Sequence, residues 1–257
     1  MKKKIRLFAL FLGVNSLYAG TMGVSTYTMD GFYAGLGAGI NTLFTKDSFS
    51  TLRLSGQGGN VDFNRYTNSS ILFTGEIGYG KMVQPKTYLG VKGSIYYTPI
   101  NNLTETGFSN LGGTDVLIVG NNSITTQLRP IYNLDAVLGY EVWEHILPFV
   151  EAGISFADVR NSYTSKRTRT NVVTATNVKY EYDLSLDSYQ TGFNIGIGAN
   201  YQPHPNWILS SELVYNYLGK NTGSVSNVIP GVGDTEIHTR SVKGNDLALF
   251  GSISYLF

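Results

Sequence analysis

Apolar and polar residues alternate with a period of two in eight stretches of this chain. GFYAGLGAGI puts Phe32, Ala34, Leu36, Ala38 and Ile40 on one face, and SILFTGEIGYG does the same with Ile71, Phe73, Ile77 and Tyr79. YLGVKGSIYY contributes Leu89, Val91, Ile95 and Tyr97, and IYNLDAVLGY contributes Tyr132, Leu134, Leu138 and Tyr140. FVEAGISF gives Val150, Ala152, Ile154 and Phe156, and YQTGFNIGIGANY runs from Tyr189 through Phe193, Ile195 and Ile197 to Tyr201. WILSSELVYNY carries Trp207, Leu209, Leu213, Tyr215 and Tyr217, and the last stretch runs from Leu247 through Leu249, Ile253 and Tyr255 to Phe257. Strict alternation over such lengths predicts eight β-strands.

None of the positions on this apolar phase is charged. The opposite phase holds Glu76, Lys92, Asp135, Glu151 and Glu212, together with Gln190, Asn194, Asn200, Asn216 and many glycines. A soluble barrel would turn its apolar phase inward and its charges outward. Small residues and isolated charges on one phase, with aromatic-ended apolar runs on the other, are the pattern of a barrel that faces lipid outside and encloses a polar lumen. The connections point the same way. Residues 83–86, 142–146 and 202–206 are short, whereas 45–69, 99–126, 161–187 and 219–244 are long and rich in Asn, Ser, Thr and Gly. Short turns on one side and long polar loops on the other fit the periplasmic and extracellular sides of an outer-membrane barrel. Trp143, Trp207, Tyr140, Tyr201 and Tyr255 fall near the short-turn rim, where an aromatic girdle belongs.

Composition sharpens this reading. Of 257 residues only 14% are charged, against roughly 25% in ordinary soluble domains, while 13% are aromatic and 30 are glycine. Apart from the N-terminus, no apolar run approaches the roughly 18 residues that a membrane helix needs. MKKKIR followed by LFALFLGV and NSLYA reads as a secretory signal peptide over residues 1–19, leaving a barrel over 20–257. The chain carries 19 Lys and Arg against 18 Asp and Glu. Without Lys2, Lys3, Lys4 and Arg6 the balance is 15 against 18, a net charge of −3, so no basic field for nucleic acid is expected. There is no cysteine, hence no disulfide framework and no thiolate chemistry.

With GFYAGLGAGI as opening strand and SISYLF as closing strand, the chain resembles the small OmpA-like and OmpX-like eight-stranded outer-membrane barrels of Gram-negative bacteria. The resemblance implies an all-β, antiparallel transmembrane barrel at the cell surface. It also implies that the terminal Tyr255 and Phe257 act as an insertion signal for the outer-membrane assembly machinery. Counted upward from the short-turn rim, Glu76, Lys92, Asp135, Glu151 and Glu212 fall in one layer, with Lys92 on a strand between those of Glu76 and Asp135. In the family such a layer is an ion-pair plug, and Glu76, Lys92 and Glu151 look like three of its members. The family's arginine on the sixth strand is absent, with Gln190 and Asn194 inward there. Arg129 is expected inward but higher, toward the loops. Four carboxylates against one lysine require something beyond ion pairing, either protonation of a carboxyl or bridging water.

Little else points to chemistry. GLGAG (35–39) lacks the strand–turn–helix setting of a dinucleotide loop. His145, His204 and His238 do not converge, so no metal site and no cofactor are expected. EIHTRS offers Glu236, His238 and Ser241 in triad-like order near the outer rim, a weak basis for a lipid A-modifying enzyme. KRTR (166–169) is the basic cluster outside the signal, and Lys166, Arg167 and Arg169 could hold lipopolysaccharide phosphates or sulfated glycans by charge-assisted hydrogen bonds. The expected function is non-catalytic: envelope integrity and loop-mediated adhesion to host, phage or other ligands, in a setting of outer-membrane lipids and lipopolysaccharide. The alternative is a narrow gated pore for ions or small solutes.

Overall fold

The computed structural model describes residues 29–53, 58–98, 103–112, 116–171, 176–228 and 235–257; the expected signal peptide, residues 1–19, lies outside them. The strands are β1 (Gly31–Arg53), β2 (Gly58–Gln84), β3 (Thr87–Tyr97), β4 (Leu103–Gly112), β5 (Val116–Tyr140), β6 (Ile146–Asn171), β7 (Thr176–His204), β8 (Trp207–Val228) and β9 (Thr235–Leu256). All pairings are antiparallel. The sheet closes on itself because β1 pairs with β9 and β3 pairs with β5. β4 pairs with β5 beyond the end of β3, so β3 and β4 share one place in a ring of eight. Closure removes the edges of the membrane-spanning part, so the inter-strand ladder can satisfy the backbone there without water.

The alternating apolar phase is the outer surface. Leu36 is 76% exposed, Ile77 67% and Ile195 56%, whereas the inward Lys92 is 2% exposed. From Phe32 to Phe44 the outward apolar stretch of β1 runs about 40 Å along the strand, and a tilt of about 40° turns this into roughly the 30 Å of a hydrocarbon core. At the lower rim, Trp207 packs edge-on against Tyr255 with ring centroids 5.3 Å apart, and Tyr255 does the same with Phe257 at 5.2 Å. A second set of outward aromatics, Phe44, Tyr97, Tyr132, Phe156 and Tyr189, marks the upper boundary. No helix among the described residues is long and apolar enough to cross a membrane; strands make the crossing.

Above the lipid band the ladder continues. The described parts of the long connections are strand for most of their length: β1 stays in register with β9 up to Arg53↔Glu236, and β6 with β7 up to Asn171↔Thr176. Asn, Ser, Thr and Gly there report contact with water rather than irregular backbone: the ladder pairs at least one side of each strand, and the margins it leaves, such as those of β7 and β8 above Phe193↔Tyr217, face water. Irregularities sit near the boundaries of the band. Register shifts occur between Lys46 and Ser48, Met82 and Gln84, Leu128 and Ile131, Tyr201 and His204, and Tyr217 and Lys220, as expected of bulges at barrel rims.

Candidate functional site: a plugged lumen

The inward phase is not uniformly polar. Near the short turns, Met29, Tyr88, Val137, Leu147 and Phe149 form a buried apolar cluster. Higher up, Leu72, Tyr96, Ile131, Val159, Val214, Leu218 and Phe250 belong to a second. Between the two lies the charged layer. Glycine makes room for it: a Cβ on Gly196 would stand 2.6 Å from Glu151 Oε1 and 2.8 Å from its Cγ.

The lysine of the layer reaches across the lumen rather than along the wall. Lys92 Nζ lies 2.5 Å from Glu151 Oε2 on β6 and 2.5 Å from Glu212 Oε2 on β8, and 5.7 Å from the centre of the Phe149 ring, within cation–π range. The strand of Lys92 does lie between those of Glu76 and Asp135. Asp135 is the register partner of Lys92 and is buried, yet the ammonium pairs with the two glutamates. Glu76 takes no part in the pairs either. Its Oε1 accepts hydrogen bonds from Ser252 Oγ at 2.9 Å and Ser254 Oγ at 2.5 Å, both on β9. Hydroxyl donors from the closing strand thus satisfy a carboxylate that the single lysine does not reach.

A further buried acid escapes the sequence reading. Asp246 accepts from Asn41 Nδ2 at 2.9 Å and Asn216 Nδ2 at 3.3 Å, and Ser155 Oγ donates to Asn216 Oδ1 at 3.2 Å. This network ties β1, β9, β8 and β6 together one level above the ion pairs. The signal was present: Asp246 shares the inward phase with Ala248, Phe250, Ser252 and Ser254. The open space bounded by Tyr33, Glu76, Tyr88, Lys92, Phe149 and Glu212 is about 10 Å³, about what one water requires.

Arg129 departs from its expected place in the upper lumen. Its side chain is 48% exposed and its Nη1 lies 2.8 Å from Asp158 Oδ2. Asp158 sits on the outward phase of β6, between the buried Ala157 and Val159. The register shift between Leu128 and Ile131 inserts an extra residue beside Pro130, which has no N–H to give the ladder, and the shift turns Arg129 outward.

Lys166, Arg167 and Arg169 do not form a loop tip. They lie on β6 opposite Glu181, Tyr180 and Val178 of β7, and consecutive strand positions alternate faces, so they make no single patch. Lys166 is exposed; the side chains of Arg167 and Arg169 lie outside the described residues. Those of Glu236 and His238 do as well. Ser241 falls three positions from His238 on the continuous strand β9, an odd spacing unsuited to a triad. Among the described residues no group of three His, Asp or Glu is placed to hold a metal.

A closed ring of eight antiparallel strands, apolar where it meets lipid, girdled by aromatics and filled with polar and apolar side chains, defines a transmembrane β-barrel of the bacterial outer membrane. No family model matches the chain. Over 204 residues, 77% of this chain and 74% of its relative, it is 22% identical to the 31 kDa outer-membrane immunogenic protein of Brucella melitensis, and the Brucella suis counterpart matches to the same extent. Among solved structures it is similar to the outer membrane protein OprG of Pseudomonas aeruginosa, at 10% identity over 87% of this chain and 96% of that one, with a TM-score of 0.44. It is also similar to Ail, the attachment invasion locus protein of Yersinia pestis, at 13% identity over 88% and 99%, with a TM-score of 0.29.

Proposed function

We propose that this barrel is a non-catalytic surface protein, which braces the outer membrane and presents its extracellular rim to host cells, phage or other ligands. The observation that carries the reading is the combination of a filled lumen with a strand ladder that continues well beyond the lipid band. Side chains from opposite walls meet at Lys92, Glu151 and Glu212, so the interior serves as bracing. The rim above is far taller than strand closure requires.

Planar-bilayer recording tests the lumen. Purified, inserted protein is expected to give no discrete conductance steps, and steps abolished by Lys92→Ala would move the reading to a gated pore. Adhesion is tested on whole cells. Replacing Lys166, Arg167, Thr168 and Arg169 with alanine is expected to lower attachment to sulfated-glycan surfaces several-fold at low salt, because each cation adds up to about 1 kcal/mol near an anionic surface. The barrel's heat-modifiable gel migration should be unaffected. A binding curve with unchanged salt dependence would remove KRTR from the adhesive surface.

A further inference from the structure

Just above the lipid band, three lysines stand side by side across adjacent strands. Lys46 of β1 pairs in register with Lys243 of β9, and Lys243 pairs in register with Lys220 of β8. All three are exposed. Lys46 shares its phase with Phe44, and Lys243 with Leu247, so both point to the outer wall where it leaves the hydrocarbon.

Lys220 reaches that wall by a specific device. From the outward Tyr217, simple alternation would turn residue 220 into the lumen. The register shift between Tyr217 and Lys220 takes up the difference, with Gly219 at φ 81°, a conformation that favours glycine. Leu218 stays buried, and Lys220 comes out beside Lys243. Neighbouring strands lie about 4.8 Å apart, so the row spans about 10 Å. Like charges directly opposite one another on a sheet are destabilising. Among the described residues none of the three lysines has an ion-pair partner, whereas on the other side of the barrel Arg129 is neutralised by Asp158. Among the described side chains, the wall formed by β8, β9 and β1 offers these lysines no counter-anion at the height where the headgroups of the outer leaflet begin.

We infer that Lys46, Lys220 and Lys243 form a binding site for the phosphate groups of an outer-leaflet glycolipid, whose acyl chains lie on the apolar band beneath. The site is separate from the rim surface proposed above for adhesion and does not depend on it. Ammonium groups suit this ligand as rotatable point charges toward a phosphate.

The test uses the purified barrel in neutral detergent, with bisphosphorylated lipid A and its dephosphorylated form as probes and native mass spectrometry as the readout. Wild type is expected to retain the bisphosphorylated lipid, and the triple variant K46A/K220A/K243A to bind it at least about tenfold more weakly. The triple Lys→Arg variant should stay near wild type, as should R129A. The charge reversal K220E alone should weaken binding markedly, which keeps the test decisive if the triple variant folds poorly. Equal retention of both lipids by wild type, or undiminished binding by K46A/K220A/K243A, would overturn the inference. Displacement of the lipid by inorganic phosphate at an equal phosphate concentration would also overturn it, by making a soluble anion the occupant.

Discussion

Lys92→Ala is expected to lower the unfolding free energy of the barrel by about 3–5 kcal/mol, the range found when one partner of a buried ion pair is removed. The lysine holds two carboxylates at once, those of Glu151 and Glu212, and all three side chains are almost fully buried. Its loss leaves two like charges facing each other where no other described cation pairs with them. Apolar clusters above and below restrict the water that could replace it. The companion variant K92M/E151Q/E212Q removes the charges with little change of volume and is expected to lie near wild type, because exchanging a whole buried ion cluster for neutral groups is often close to neutral. Urea titration of the barrel folded in micelles, followed by heat-modifiable gel migration, measures both. A loss below about 1 kcal/mol for Lys92→Ala, the scale of a solvated surface pair, would show that the layer is hydrated.

Ile195→Arg is expected to cost about 2–4 kcal/mol, the penalty for a cation on the lipid face at the bilayer midplane. Ile195 lies midway along the outward phase of β7 between Tyr201 and Tyr189, with Ala152 and Tyr215 as its register neighbours. Tyr189→Arg, at the upper boundary of the band, should cost only about 0–1 kcal/mol. The same urea titration in lipid vesicles separates the two. Equal penalties at both positions would mean that the band does not sit in hydrocarbon.

The outer wall of this molecule was legible in the sequence because its rule is local. A residue's face follows from its place in a period of two, and the eight apolar runs set that period without interruption across the membrane. The five charged positions of the lumen were legible for the same reason, since a charge opposite an uninterrupted apolar phase can only be enclosed. Their partners were not. Lys92 and Asp135 are adjacent in register, but a lysine stem is long enough to cross a narrow barrel, and pairing across it depends on the geometry of the closed ring. Arg129 was misplaced because one bulge beside Pro130 reverses the period. The inward apolar clusters stayed hidden because Leu72, Tyr96 and Phe250 are the same kinds of residue that face lipid one position away. The height of the wall was hidden too, since Asn, Ser and Thr in water look alike in a loop and in a strand.

The seam between β1 and β9 joins the two ends of the described chain: Tyr33 is the register partner of Leu256, and the Phe257 amide donates to the Phe32 carbonyl at 2.8 Å. The first strand therefore gains its second neighbour only after every other strand has been made, and this most non-local of the contacts must wait for the longest loop closure. A chain halted before residue 235 would leave two bare strand margins along the full height of the sheet. Only a chain that carries both β1 and β9 can close the cylinder.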